Sequence, residues 1–187
     1  ASIGEALTSS SSVRMLTFTG STKVGKMLME KCANTVKKVA LELGGNSPFI
    51  VFEDADLDKA VAGLLASKLR GGGQSCTSAN RIYLHESIAD KFLEKLKSEF
   101  QKIKVGNGLN DDTNLGPLIN KMAIDKIGHL VSDAIKNGSK ELYSADIEEL
   151  QKQSHCYMSP KIILHKANNL EIEKTEIFGP IVSAFTF

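Results

Sequence analysis

A cysteine closely follows three consecutive glycines in the segment Arg70-Gly71-Gly72-Gly73-Gln74-Ser75-Cys76-Thr77-Ser78. Glycine lets the backbone approach a ligand closely, and freed backbone N–H groups can donate to a developing oxyanion. The Cys76 thiol could therefore be a nucleophile, and the alternative is a buried, inert cysteine in a flexible turn. The local signatures of papain-like and caspase-like enzymes are missing around Cys76, which disfavours a cysteine protease.

A carboxylate stands between two leucines and is followed at once by paired glycines, in the segment Leu41-Glu42-Leu43-Gly44-Gly45-Asn46-Ser47-Pro48. Because glycines break a strand and a carboxylate is unfavourable among apolar neighbours, Glu42 is a poor member of a regular element. A positioned carboxylate of this kind could be a general base. The alternative is a glutamate at the exposed end of a strand.

A glycine turn between an apolar strand and a helix forms a third candidate, in the segment Phe18-Thr19-Gly20-Ser21-Thr22-Lys23-Val24-Gly25-Lys26. Such a turn presents backbone N–H groups and the helix dipole to an anion, so it can hold a phosphate. The run from Gly20 to Lys26 also resembles a P-loop, but Met27 stands where that motif needs Ser or Thr to bind magnesium. The residues alone leave open a plain strand-to-helix turn, a dinucleotide site and, least favoured, an NTPase loop.

The residue types that bind metals or form disulfides are scattered along the chain. The three cysteines are an odd number and lie too far apart for a zinc site, so they fit no disulfide framework and no metal site. They predict a reducing compartment, and each histidine is expected to be structural or on the surface. These residues are Cys32, Cys76, Cys156, His85, His129, His155 and His165.

The elements that must position these residues belong to a globular chain of ordinary composition. Its 187 residues are 42% apolar and carry a net charge of +1, which argues against a nucleic-acid or anionic-membrane partner and favours a small molecule. The longest apolar run, residues 60–66, is far shorter than the roughly 20 residues of a membrane helix. We therefore expect a soluble protein with no membrane segment.

Short apolar runs alternate with amphipathic stretches, which predicts an α/β fold with a mostly parallel sheet and flanking helices. Strands are predicted at residues 15–19, 49–52, 81–85, 161–164 and 181–187. Helical periodicity covers 57–69 and 88–103, and a third helix follows Gly116 and Pro117, with apolar residues from 123 to 134. Ser87 is expected to cap the second of these helices and Gly138 to end the third, and residues 140–153 to form a polar surface loop.

Taken together, the three segments and a fourth resemble the aldehyde dehydrogenase superfamily. The fourth is Glu176-Ile177-Phe178-Gly179-Pro180, and the order of all four and the 34-residue separation of Glu42 and Cys76 match that family. The resemblance implies an α/β catalytic domain of the aldehyde dehydrogenase type, truncated here. It also implies oxidation of an aldehyde with NAD or NADP as cofactor.

The resemblance assigns a role to individual residues. Cys76 would attack the aldehyde carbon and pass through a thiohemiacetal to a thioester, which a water activated by Glu42 would hydrolyse. Three residues, Gly20, Ser21 and Val24, would touch the diphosphate and adenosine end of the cofactor. Three others, Leu43, Glu176 and Phe178, would position its nicotinamide end. No metal is implied.

A finer similarity is to succinate semialdehyde dehydrogenases, in which an arginine stands six residues before the nucleophile, as Arg70 does here. A guanidinium can hold the distal carboxylate of a semialdehyde in a bidentate pair. Three positions depart from that pattern: Gly71 stands in place of Asn, Ser78 in place of a second Cys, and Thr175 in place of an acidic residue. The resemblance implies a semialdehyde as substrate, such as succinate semialdehyde.

The resemblance covers part of the family's length, so we expect a fragment, inactive alone, of a homo-oligomeric parent enzyme. Residues 1–46 would be the end of a Rossmann-like cofactor domain and residues 47–187 an incomplete catalytic domain. The expected location is the cytoplasm, with the mitochondrion as the alternative. Two other functions stay open: a phosphate-binding NTPase-like module using Gly20 to Lys26, and a non-catalytic folding module.

Overall fold

The structure is a computed structural model that describes residues 2–166 and 169–187. Its contacts divide the chain into two compact units, Ala1–Gly45 and Asn46–Phe187. The first unit contains α1 (Ser2–Ser9), β1 (Met15–Gly20), α2 (Thr22–Ala33) and β2 (Lys38–Leu43). The two strands pair in parallel, and the β1–α2–β2 crossover buries Leu16, Leu28 and Cys32. The predicted first strand is confirmed, and β2 was not predicted.

The second unit contains a five-stranded sheet in the order β3-β4-β7-β6-β5. All neighbouring pairs are parallel except β5 and β6. Its elements are β3 (Pro48–Val51), α3 (Leu57–Leu69), a short turn at Arg70–Gly73, β4 (Arg81–Leu84), α4 (Glu86–Phe100), α5 (Lys121–Lys136), β5 (Lys140–Ser144), α6 (Glu148–Gln153), β6 (Lys161–Leu164), α7 (Glu171–Lys174) and β7 (Ile181–Thr186).

Helices cover both faces of this sheet. Successive residues of a strand point to opposite faces, and on β6 Ile162 packs in the cluster that contains α3 and α4 whereas Ile163 packs in the cluster that contains α5. The central strand β7 is buried from Ile181 to Phe185. This arrangement confirms the predicted α/β class, with a mostly parallel sheet and flanking helices.

Two local predictions are wrong. Residues 140–153 form β5 and α6 rather than a loop; β5 is a partly exposed edge strand and α6 has no buried residue, so neither gives a hydrophobic pattern. Ser87 is not the cap of α4, because the His85 imidazole accepts the hydrogen bond from the Ser87 N–H. In the described part of the chain, no helix combines the length and hydrophobicity needed to cross a membrane.

Candidate active site

The loop that carries Cys76 begins where α3 ends. Gly71, Gly72 and Gly73 have φ of 58°, 71° and 75°, all in the left-handed region that only glycine enters at low cost. Three such residues in succession reverse the chain after the helix. Cys76 then lies exposed on the loop between α3 and β4, with its thiol free.

The glycine turn is in backbone contact with the segment that precedes β7. A Cβ on Gly73 would lie 2.3 Å from the carbonyl oxygen of Gly179 and 2.9 Å from that of Lys68. A Cβ on Gly179 would in turn lie 2.4 Å from Cδ1 of Ile127. The second unit therefore brings the Cys76 loop together with the Glu176–Pro180 segment that the sequence singled out.

Hydrogen bonds hold the residues on either side of Cys76. The Gln74 side chain accepts from the Ile119 N–H at 2.9 Å and donates to the Gly71 carbonyl at 3.0 Å. After the cysteine, the Ser78 N–H donates to the Ser75 carbonyl at 3.1 Å. In residues 2–166 and 169–187, no group accepts a hydrogen bond from the N–H of Cys76 itself. A backbone donor is thus available beside an exposed thiol, as stabilisation of an oxyanion requires.

Glu176 and Phe178, the two candidate cofactor residues of this unit, lie on either side of the buried residue Ile177. Ile177 is 1% exposed and packs in the core under α5, whereas Phe178 is 38% exposed and Glu176 is partly exposed. The core therefore fixes the backbone between an exposed Phe178 and a partly exposed Glu176. That is a suitable arrangement for contacting a ligand.

Two buried polar side chains also hold the peptide groups of Ile177, and sequence reasoning missed both as functional residues. The Lys68 ammonium donates to the Ile177 carbonyl at 3.3 Å, and the Asn80 Oδ1 accepts from the Ile177 N–H at 2.8 Å. Burial lowers the pKa of Lys68 to about 8, against the opposing charge of Glu176. A signal for Lys68 exists in the sequence, since it shares the buried face of α3 with Val61 and Leu64.

Arg70 ends α3 at the start of the glycine turn. Its side chain is exposed, and no carboxylate among the described residues lies within 4.0 Å of its guanidinium. An arginine without an ion-pair partner, six residues from an exposed thiol, can bind a carboxylate supplied by a ligand.

In the first unit, the candidate phosphate-binding residues lie at the turn between β1 and α2. Ser21 is the N-cap of α2, and its Oγ accepts from the Val24 N–H at 3.4 Å. Gly25 on α2 packs directly on β2, because a Cβ there would lie 2.6 Å from Cδ2 of Leu43. A strand, a glycine turn and a closely packed twelve-residue helix fit the diphosphate of a dinucleotide at the helix N-terminus.

Glu42 lies within β2, directly opposite Thr19 of β1, so the expectation that it leaves regular structure is wrong. Strand alternation explains the position: Leu41 and Leu43 are partly buried, and Glu42 between them is exposed on the other face. The strand ends at Leu43, immediately before Gly44. This corresponds to the alternative of a glutamate at an exposed strand end, and an exposed carboxylate there can still accept a proton from water.

Metal-binding side chains do not gather around these residues. In the part of the chain that the structure describes, no group of three or more His, Cys, Asp or Glu side chains could hold a metal ion.

Known proteins resemble this chain over its whole length. Residues 1–187 match the family model described as "Aldehyde dehydrogenase family". The succinate-semialdehyde dehydrogenase (NADP+) of Escherichia coli (strain K12) is 44% identical over 185 residues, which cover 99% of this chain and 38% of that protein. The glutarate-semialdehyde dehydrogenase of Pseudomonas putida is 46% identical over 185 residues, with the same coverage of 99% and 38%.

A crystal structure described as an E. coli NADP-dependent enzyme matches the fold with a TM-score of 0.94 at 44% identity. The match covers 99% of this chain and 38% of that one. The chain thus spans well under half the length of the relatives it matches.

Proposed function

Because this chain belongs to the aldehyde dehydrogenase family, we propose that the protein containing it oxidises an aldehyde to a carboxylic acid with NAD or NADP. The observation that carries the proposal is the exposed Cys76 thiol, on a glycine-built loop in backbone contact with the segment that holds Glu176 and Phe178. The thiol, the free backbone donor and two side chains suited to a ligand lie on adjoining segments of one unit.

The first half of the reaction belongs to Cys76. Its thiolate attacks the aldehyde carbon, a C–S bond forms, and the π pair of the carbonyl moves to the oxygen to give a thiohemiacetal. The Cys76 N–H donates to that oxyanion and stabilises it. A bound nicotinamide would supply the acceptor for the hydride that leaves the same carbon. The carbonyl then re-forms as a thioester on Cys76.

The second half of the reaction is assigned to Glu42. Its carboxylate takes a proton from a water, whose oxygen adds to the thioester carbon. The C–S bond then breaks, the carboxylic acid leaves, and Cys76 returns as the thiolate. The exposure of Glu42 on β2 supports this role, since the carboxylate is accessible to water.

Six residues are proposed to bind the cofactor. Gly20, Ser21 and Val24 hold its diphosphate and adenosine end at the N-terminus of α2. Leu43, Glu176 and Phe178 position the nicotinamide ribose and ring. The fit of the β1–α2 turn to a diphosphate supports the first assignment, and the exposed Phe178 and partly exposed Glu176 beside buried Ile177 support the second.

The proposed substrate is a semialdehyde such as succinate semialdehyde, whose distal carboxylate binds Arg70. The exposed guanidinium, which has no carboxylate partner in residues 2–166 and 169–187, supports this choice. So do the names of two relatives, which are dehydrogenases of succinate and glutarate semialdehyde, each with a carboxylate far from the aldehyde. A bidentate arginine contact would fix the aldehyde end near the thiol.

We further propose that residues 1–46 are the end of a cofactor-binding domain and residues 47–187 part of a catalytic domain. In this proposal the 187-residue chain alone lacks activity, and the complete protein is a homo-oligomer. Calorimetric titration of the chain with NAD and NADP, beside an aldehyde assay, tests the inactivity. Turnover near that of the complete protein would refute it.

The decisive experiment uses the complete protein and the variants Cys76→Ser and Glu42→Gln. Cys76→Ser should abolish aldehyde oxidation, since no thioester forms. Glu42→Gln should release a burst of NAD(P)H and then turn over slowly, because acylation precedes the step that Glu42 assists. Stopped-flow absorbance of NAD(P)H separates the two phases.

Cys156→Ser is the matched control, since Cys156 is a partly buried free cysteine to which the proposal gives no role in the reaction. It should keep its activity, and iodoacetamide should inactivate it as fast as the wild-type protein. Retained oxidation in Cys76→Ser contradicts the nucleophile assignment, and unchanged steady turnover in Glu42→Gln contradicts the role of the base.

A further inference from the structure

Three polar side chains of the second unit bind one short stretch of backbone, residues 173–177. Asn46 donates to the Glu173 carbonyl at 2.8 Å, Asn80 donates to the Thr175 carbonyl at 3.2 Å and accepts from the Ile177 N–H at 2.8 Å, and Lys68 donates to the Ile177 carbonyl. Asn46 and Asn80 are also hydrogen-bonded to each other. We call Asn46, Lys68 and Asn80 the polar clamp.

The clamp is costly to bury. Lys68 is 0% exposed and Asn80 is 1% exposed, and a buried ammonium or amide is tolerated only where hydrogen bonds replace water. An apolar side chain at either position could fill the same space without that cost. The specific contribution of these residues is therefore the hydrogen bonding of the 173–177 backbone, and not packing alone.

Lys68 and Asn80 lie on either side of the Cys76 loop in the sequence. Lys68 stands just before the glycine turn and Asn80 stands four residues after Cys76, so they bracket the loop that carries the thiol. Both bind the peptide groups of Ile177. Both ends of the Cys76 loop are consequently fixed to the residue between Glu176 and Phe178.

We propose that Lys68 and Asn80 are positioning residues that set the placement of Glu176 and Phe178 relative to Cys76. Asn80 acts through the backbone of Ile177. Lys68 acts through the same backbone and also through its charge, which interacts with that of Glu176. The proposal rests on the proposed function, because it takes Glu176 and Phe178 as the residues that hold the nicotinamide end. Catalysis needs that end and the thiol in one geometry, and small misplacements of such groups cost rate steeply.

If Lys68 and Asn80 only supported the core, their removal would have a different effect. A buried hydrogen-bonded residue that only supports the core lowers stability when removed and leaves the folded site unchanged. Ser183 is such a residue: it is fully buried, and its hydroxyl bonds to the Nε2 of His165 on another part of the sheet. Ser183→Ala is therefore the matched control for Asn80→Ala.

The experiment compares Asn80→Ala, Lys68→Met and Ser183→Ala with the wild-type complete protein. Amide hydrogen exchange of the peptide containing Ile177 reports on the clamp directly. Fluorescence titration with NADPH and NADH gives the cofactor dissociation constant, and steady-state kinetics give KM for the aldehyde. Asn80→Ala should speed exchange at Ile177 and weaken cofactor binding by about tenfold, with little change in KM for the aldehyde. Ser183→Ala should change neither.

The outcomes separate the clamp from the proposed function. If Asn80→Ala and Lys68→Met speed exchange at Ile177 but bind cofactor as Ser183→Ala does, the positioning role is overturned and the dehydrogenase proposal stands. If the wild-type protein binds neither NADPH nor NADH, the proposed function fails and the positioning role falls with it. Should Asn80→Ala not fold, Lys68→Met alone decides, since it removes one donor and keeps the volume of the side chain.

Discussion

Replacing His165 by glutamine should remove a large part of the acid-induced loss of stability of this chain. His165 lies directly after β6, 3% exposed, with its ring stacked on Phe185 at a centroid distance of 4.5 Å. Its Nδ1 is 2.7 Å from the Ser139 hydroxyl and its Nε2 is 2.8 Å from the Ser183 hydroxyl. A neutral imidazole can bond to both hydroxyls, whereas a charged imidazole at this buried position would lose its hydration.

The magnitude follows from the pKa. Burial lowers the pKa of His165 to about 4, against an opposing charge on Glu173, and its ordinary pKa is 6.5. Between pH 6.5 and pH 4 the unfolded chain binds a proton that the folded chain does not, so the free energy of unfolding falls as the pH falls. The stabilisation is fully present above pH 6.5. The difference amounts to about 3 kcal/mol, which is a large fraction of the stability of a domain.

Urea unfolding of the 187-residue chain, followed by far-UV circular dichroism at half-unit steps from pH 4 to pH 7.5, measures the effect. Carboxylates titrate over part of this range in every variant, so the informative quantity is the wild-type stability minus that of His165→Gln. This difference should shrink by about 3 kcal/mol from pH 6.5 to pH 4. His129→Gln, at an exposed histidine on α5, is the control and should track the wild type. If the difference in the free energy of unfolding between the wild type and His165→Gln stays constant with pH, the reasoning is refuted.

Three further substitutions test other parts of the second unit. Gly73→Ala should destabilise the chain by more than roughly 2 kcal/mol in urea unfolding, because the new Cβ meets the Gly179 carbonyl. Gly71→Ala is the control: it has a similar φ but open space around the Cβ, and it should cost about 1 kcal/mol. Equal costs for the two variants would contradict the close approach of Gly73 to Gly179. The stability of the wild-type chain relative to Lys68→Met should rise by up to about 3 kcal/mol between pH 8 and pH 10.5. In that range the unfolded chain keeps a proton that folded Lys68 has lost. A stability difference that does not change with pH would show that Lys68 is not desolvated. In the complete protein, Arg70→Ala should lower kcat/KM for succinate semialdehyde by roughly 30- to 1000-fold and leave butanal unaffected, and equal losses on both would mean that Arg70 is structural.

The sheet was predictable wherever burial produced a pattern. The inner strands β4, β6 and β7 have runs of apolar residues because a mostly parallel sheet with helices on both faces buries side chains on both sides of such strands. The strands β1 and β3 were predicted from similar runs, although neither is an inner strand and both are partly exposed. The edge strand β5 has Lys140 and Glu141 at its start and no such run, so its pairing with β6 depends on the neighbouring strand rather than on its own sequence. Tertiary context decides such elements.

The candidate site was predictable for the residues whose types are unusual in their setting. Three glycines before Cys76 and two after Glu42 mark turns that few other residues allow, and the structure has a left-handed turn at the first. Asn46 and Asn80 gave no such signal, because an asparagine next to a turn is common. Their backbone partners Glu173 and Thr175 lie 127 and 95 residues away in sequence. Only the folded chain brings those partners together.

The position of β7 in the sheet has a consequence for the synthesis of the protein. The strand lies between β4 and β6, yet the ribosome makes it last of the three. About 100 residues separate Leu84 from Ile181, and at roughly 5 to 20 residues per second their translation takes on the order of 5 to 20 s. During that interval β4 has no partner on the edge that β7 later covers, and its apolar side chains Ile82 and Leu84 have incomplete cover. The nascent chain is therefore most exposed to aggregation just before β7 emerges, and chaperones that bind apolar strands during that interval would most increase its folded yield.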